Sequence, residues 1–164
     1  MMFRGKKPDD PNAGKWIGIG GKFEEGETAD ECMLREVREE TGIELSEYHF
    51  HGVIRFRSDA WEYEDMYLYS AKAPAAAVDV PTGTAEESAA GTANAPAAAA
   101  GQITSGAGAL PDCSEGDLQW IPKEEILNLP LWEGDKLFLR ELIAGKDKIE
   151  MTLIYEEENL VGHY

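Results

Sequence analysis

Glu36, Glu39 and Glu40 fall within one short stretch, residues 34–42 (LREVREETG), of this 164-residue chain. On an α-helix, which turns about 100° per residue, Glu39 lies about 60° to one side of Glu36 and Glu40 about 40° to the other. Three carboxylates then share one arc of the helix surface. Like charges at these spacings repel by about a few tenths of a kcal/mol per pair, so an unassisted helix gains nothing from them. A divalent cation reverses the sign, because carboxylates together with water and carbonyl oxygens are the ligand set of Mg²⁺ or Mn²⁺. Gly18, Gly20 and Gly21 precede the stretch and let backbone approach a ligand closely. A strand carbonyl beside the helix would complete a metal shell. Arg35, four residues before Glu39, is placed to hold that carboxylate. The competing reading is an ordinary solvated acidic helix face.

The elements that must carry these groups are legible around them. Thr28 and Glu31 form a capping box, and Gly42 stands where a left-handed C-terminal residue is wanted, which predicts a helix over 28–41. Residues 14–23 are glycine-rich with β-type Trp16, Ile17 and Ile19. Residues 50–57 and 66–71 read as strands joined by a turn region at 59–65. Further on come a short strand at 117–121, a short helix at 123–128 behind Pro122, an amphipathic helix at 135–144 closed by Gly145, and a last strand at 149–155. Strands and helices interleave without a regular βαβ rhythm, so the fold class is α+β.

Residues 73–110 are different. Ala, Gly, Pro, Ser and Thr dominate, no aromatic is present, and Pro74, Pro81, Pro96 and five glycines interrupt every helical run. Such a composition cannot bury enough apolar surface to offset the entropy of ordering it, and it reads as a flexible insertion in a single domain spanning 1–164.

Composition bounds the partners. With 15 Lys plus Arg against 32 Asp plus Glu, the net charge is −17, which argues against nucleic-acid polymers and anionic membranes. No apolar run approaches the roughly 20 residues of a membrane span, and the first residues, MMFRGKKPDD, lack the apolar core of a secretory signal. Cys32 and Cys113 make neither a disulfide framework nor a metal-ligand pattern and read as reduced thiols of a cytoplasmic protein. Yet Arg4, Lys6, Lys7, Lys15 and Lys22 place five of the 15 basic residues within the first 22 positions. A small polyanion would find cations there.

These residues together match a family. Gly21, five residues, Glu27, seven residues, Arg35-Glu36, an aliphatic residue, one residue, Glu39-Glu40, one residue, Gly42 and an aliphatic residue is the complete Nudix box. The chain thus resembles the Nudix hydrolases. Residues 14–28 (GKWIGIGGKFEEGET) resemble the branch acting on oxidised purine nucleoside triphosphates such as 8-oxo-dGTP. The likeness continues through Phe56, residues 112–121 and the Trp132-Glu133-Gly134-Asp135 turn.

The resemblance implies an α/β/α sandwich with a mixed β-sheet, the box lying on a loop-helix-loop. It implies Mg²⁺-dependent (or Mn²⁺-dependent) hydrolysis of a nucleoside triphosphate to a monophosphate and pyrophosphate, by a monomer or homodimer. Glu36, Glu39 and Glu40 would be metal ligands, one of the latter pair accepting the proton of the attacking water. Gly20 would add a backbone carbonyl, and Glu115 would assist from another loop. Arg35 joins this catalytic set in a structural capacity, as does Glu27. Lys7 matches a position near the triphosphate, with Lys22 a second cation. Phe56 and Trp132 match base-pocket positions, while Asp135 stands either as a base-edge acceptor or as the N-cap of the following helix.

Three departures qualify the substrate. Better-studied members carry an asparagine where this chain has Ile17, and an aspartate where it has Gly134; both supply base-edge hydrogen bonds. They also carry a complete strand ahead of the stretch matching residues 1–4, so the start is expected upstream or a pocket strand is missing. Hydrolysis of another nucleoside diphosphate derivative, such as ADP-ribose or a dinucleotide, is the alternative within the family. A nucleotide-sensing module without turnover is the alternative outside it.

Overall fold

The computed structural model describes residues 1–74 and 110–164. Most of the insertion predicted at 73–110 lies outside the described residues. Three strands form one antiparallel sheet in the order β2-β1-β5: β1 (Met2–Phe3), β2 (Trp16–Ile17) and β5 (Asp117–Leu118). The second sheet is mixed, in the order β4-β3-β6-β7. It comprises β3 (Tyr48–Ser58), β4 (Glu64–Ala71), β6 (Met151–Glu156) and β7 (Asn159–His163). β3 and β6 run parallel, and the outer pairs are antiparallel.

The helix expected over 28–41 is α1 (Ala29–Thr41), with both hydrogen bonds of the Thr28–Glu31 capping box formed. Gly42 closes it in the left-handed region at φ 69°, its N–H bonded to the Arg38 carbonyl. The second long helix is α2 (Glu133–Ile143). Its Phe138 joins Ile54, Leu68, Ile149, Leu153 and Tyr155 in the core. Because side chains alternate along a strand, Tyr69 faces away from Leu68, and there its hydroxyl donates to Asp30 of α1 at 2.6 Å. The two helices therefore lie on opposite faces of the mixed sheet, the predicted sandwich.

A register shift between Phe50 and Gly52 in β3 reverses the facing of its side chains, so Phe50 is exposed while Ile54 is fully buried. Gly52 sits at φ 148°, where a Cβ would come within 2.2 Å of the Ile149 carbonyl oxygen. Only glycine lets the chain entering β6 pass so close.

Several boundaries move from the sequence reading. The expected strand at 117–121 is two residues long, and the helix expected at 123–128 is a single 3₁₀ turn, Ile126–Asn128. Residues 149–155 are not the last strand, since β7 follows through a turn at Glu157, which adopts φ 53°. Residues 1–4 contain the central strand of the first sheet, with Met2 fully buried. Among the described residues no helix is long and apolar enough to cross a membrane.

Candidate active site

Arg35 organises the loop that leads into α1. Its guanidinium grips Glu27 through two nitrogens at 2.8 and 2.9 Å and reaches the Lys22 carbonyl at 3.1 Å. The same group touches Glu36 at 2.6 Å and Glu39 at 3.3 Å. The expected Arg35–Glu39 contact is thus present, but it is the longest of these carboxylate hydrogen bonds. Held by Arg35 and by the Glu24 N–H, the Glu27 carboxyl is lowered to about 2. Glu27 and Arg35 together fix the loop 21–27 against the helix.

Gly21 then brings backbone directly under Glu36. A Cβ on Gly21 would lie 2.3 Å from Glu36 Oε1, a separation no side chain tolerates. Its neighbour Gly20 donates its N–H to Glu40 Oε2 at 3.3 Å. The predicted role of Gly20 was its carbonyl; the contact it makes is through its nitrogen. Glu40 is half-buried, and burial raises its carboxyl to about 7 against the Gly20 N–H, with the charges of Glu36 and Glu115 adding to the rise.

Glu115 arrives from the other end of the chain. It sits in the tight turn closed by the Cys113–Gly116 bridge. That turn lies flat on β1 because Gly116 has no Cβ, which would fall 2.4 Å from the Phe3 carbonyl oxygen. Glu115 accepts from Arg4 Nη1 at 2.5 Å, and Lys7 stands 3.8 Å from its other oxygen. Glu36, Glu40 and Glu115 therefore share one electrostatic neighbourhood, while Glu39 is more exposed on the Arg35 side.

Glu36 and Glu39 share Arg35 as donor, Glu40 has the Gly20 N–H and Glu115 has Arg4, and among the described residues no three acidic, histidine or cysteine side chains are drawn together as a closed metal shell. The donor chemistry nevertheless fits a hard divalent cation. All the groups are oxygens, the ligand type such an ion takes.

Phe56 and Trp132 are half-buried against the core. The Trp132 indole N–H donates to Asn12 Oδ1 at 2.8 Å, and Lys15 Nζ lies 4.9 Å above the ring. Asp135 is not the N-cap of α2. Trp132 holds that position with no side-chain bond, and the Gly134 N–H is satisfied by the Tyr155 hydroxyl at 3.0 Å. Burial alone pushes the Asp135 carboxyl to about 7. Lys22 is nearly fully exposed, with Glu64 its nearest carboxylate at 3.9 Å.

The family assignment follows from a comparison with known proteins. A family model described as the NUDIX domain matches residues 1–142. The chain belongs to the Nudix family. It is 27% identical over 150 residues to an uncharacterized Nudix hydrolase, YvcI, of Bacillus subtilis, covering 90% of this chain and 77% of that one. It is 38% identical over 71 residues to the oxidized purine nucleoside triphosphate hydrolase of Mus musculus, covering 43% and 46% of the two chains. The crystal structure of a mutator MutT protein from Bacillus halodurans superposes with a TM-score of 0.67 at 23% identity, over 94% of this chain and 84% of that one. That likeness establishes the Nudix fold. The chain is accordingly a Nudix hydrolase, a pyrophosphohydrolase acting on acid anhydrides.

Sequence reasoning missed Asp10, Asn12 and Tyr155, and gave Arg4 only as one of several cations. The Asp10-Pro11-Asn12 run does carry a local signal, since Asp and Asn beside Pro favour side-chain-stabilised turns. Tyr155 carries none, because its role is set by a contact with α2 that is 21 residues distant in sequence.

Proposed function

We propose that this Nudix hydrolase cleaves nucleoside triphosphates to a monophosphate and pyrophosphate, with Mg²⁺ or Mn²⁺ held by Glu36, Glu39, Glu40, Glu115 and the Gly20 carbonyl. The observation that carries it is the half-buried Glu40, raised to about 7 with the charges of Glu36 and Glu115 around it, beside a Gly20–Gly21 backbone shaped to approach. When bound, the cation supplies charge neutralisation of the phosphates and a more acidic attacking water. Glu39 or Glu40 takes the proton of that water. Arg35, through Glu27 and Lys22, keeps the loop and the helix in one rigid frame, and positioning of this kind accounts for much of phosphoryl-transfer catalysis. Lys7 and Lys22 meet the phosphate tail, and Phe56, Trp132 and Asp135 bound the base.

Oxidised purine nucleotides such as 8-oxo-dGTP are the proposed substrates, by the partial likeness to the mouse hydrolase. A second reading, another nucleoside diphosphate derivative, is favoured by the chain's own pocket. Where that branch has an aspartate, a Cβ on Gly134 would fall 2.4 Å from the Tyr155 hydroxyl. The space is already taken.

The test is to incubate the protein and Mg²⁺ with 8-oxo-dGTP, dGTP, ADP-ribose and a dinucleoside polyphosphate, and to measure pyrophosphate and monophosphate release. Pyrophosphate from 8-oxo-dGTP at the highest kcat/KM is expected. Products without pyrophosphate favour the second reading. The Glu39→Gln, Glu40→Gln double variant is expected to lose at least about 10²-fold in kcat, and turnover that survives it overturns the mechanism.

A further inference from the structure

The loop over residues 5–15 links the two halves of the site through side chains that no role above requires. Glu115 Oε2 accepts from Arg4 Nη1 at 2.5 Å, and Arg4 Nε donates to Asp10 Oδ2 at 2.5 Å. The other oxygen of Asp10 accepts from the Asn12 N–H at 2.9 Å. The side chain of Asn12 in turn accepts from the Trp132 indole at 2.8 Å. Four consecutive hydrogen bonds thus run from the carboxylate on the metal side to the aromatic on the base side.

The series is buried where it matters. The Asp10 side chain is 5% exposed and the Arg4 side chain 14%. Buried charges of this kind are held only where every partner is in place. Backbone bonds stiffen the same unit: Arg4 N–H to the Lys15 carbonyl, Gly14 N–H to the Arg4 carbonyl, and Trp16 N–H to the Pro130 carbonyl. Lys15, from the same loop, covers the Trp132 ring. A loop that merely covered the sheet edge would need neither a guanidinium shared between Glu115 and Asp10 nor an acceptor on Trp132.

We infer that Arg4, Asp10 and Asn12 are positioning residues that couple the base side of the site to its metal side, so that seating a nucleobase against Trp132 orders Glu115 for the cation. The inference rests on the reading that Glu115 serves the cation and Trp132 the base. Coupling of this kind is reciprocal: if the base tightens the cation, the cation tightens the base by the same factor.

The test uses ligands that cannot touch each other. Mn²⁺ binding is followed by electron paramagnetic resonance with and without the free nucleoside, which has no phosphate to reach the metal. Nucleoside binding is followed by calorimetry with and without Mn²⁺. In the unmodified protein each ligand is expected to tighten the other by about five-fold. Asn12→Ala, which leaves Glu115 and Arg4 untouched, is expected to abolish that factor, and Arg4→Lys, which keeps the charge but loses the fork, to reduce it. Thermal unfolding confirms that each variant is folded. A coupling factor unchanged in Asn12→Ala, or no coupling in the unmodified protein, overturns the inference. Two single variants separate this from failure of the underlying reading. If Glu115→Gln leaves Mn²⁺ affinity unchanged, or Trp132→Ala leaves nucleoside affinity unchanged, the site reading falls and the inference falls with it.

Discussion

Glu27 and Asp135 are carboxyls displaced in opposite directions, and the two signs make opposite predictions. Glu27 titrates at about 2 in the folded chain against an ordinary 4.5, because Arg35 and the Glu24 N–H bind its ionised form. Between these values the unfolded chain holds more protons, so the stabilisation is complete above pH 4.5 and fades as pH falls toward 2. Denaturant unfolding across that window is expected to show a flatter pH dependence in Glu27→Gln than in the unmodified protein. Asp135 is raised by burial from 3.8 to about 7. Here the folded chain holds the extra proton, so stability declines as pH rises from 3.8 through 7 and the penalty is complete above 7. Asp135→Asn is expected to raise the unfolding midpoint at pH 8 relative to the unmodified protein, with the difference vanishing below pH 4. If the proposed base contact is correct, the same variant weakens nucleotide binding.

At the scale of elements, the start of α2 shows how a contact from another strand overrides a local signal. Asp135 has the residue type of an N-cap, and sequence reasoning starts the helix there. The helix begins at Glu133 instead, because the Tyr155 hydroxyl of β6 satisfies the Gly134 N–H. Gly134→Ala is expected to destabilise the protein by about 1–3 kcal/mol in chemical denaturation, since its new Cβ would lie 2.4 Å from that hydroxyl and 2.7 Å from Leu153 Cδ1. Adding Tyr155→Phe to Gly134→Ala recovers part of the loss by removing the hydroxyl. Additive effects of the two substitutions would count against this account of the junction. By contrast α1 was fully legible, because both of its ends are set within the segment itself: Thr28 with Glu31 at one, Gly42 at the other. β7 was not, because the turn before it is built on Glu157 in the left-handed region, where Gly or Asn would have announced it.

For the molecule as a whole, the net charge of −17 looks inhospitable to a polyphosphate. The arrangement of charge, not its sum, resolves this. We propose that Glu36, Glu39, Glu40 and Glu115 take a cation, and two of the basic residues of the first 22 positions, Arg4 and Lys7, stand beside Glu115. We propose that residues 1–164 act as one hydrolase domain and that 75–109 form a tolerated insertion, because closing a longer loop adds entropy only slowly. Replacing 75–108 by a short Gly-Ser linker is expected to leave turnover within about a few-fold, because closure entropy changes slowly with loop length. A larger loss would give the segment a functional part.

The sequence by itself determined the family, the helix that carries the glutamates, and the contact of Arg35 with Glu39. All of these rest on spacings within 23 residues, where helix geometry converts sequence distance directly into spatial arc. Only the tertiary structure decided that Glu115 meets Arg4 and Lys7, why Gly134 must be glycine, and that Asp10 and Asn12 join Arg4 to Trp132. The bonds from Gly134 to Tyr155, from Arg4 to Glu115 and from Trp132 to Asn12 span 21, 111 and 120 residues, and Gly52 and Gly116 likewise let distant segments approach closer than a side chain permits. Local propensity carries no information about which distant backbone will arrive there.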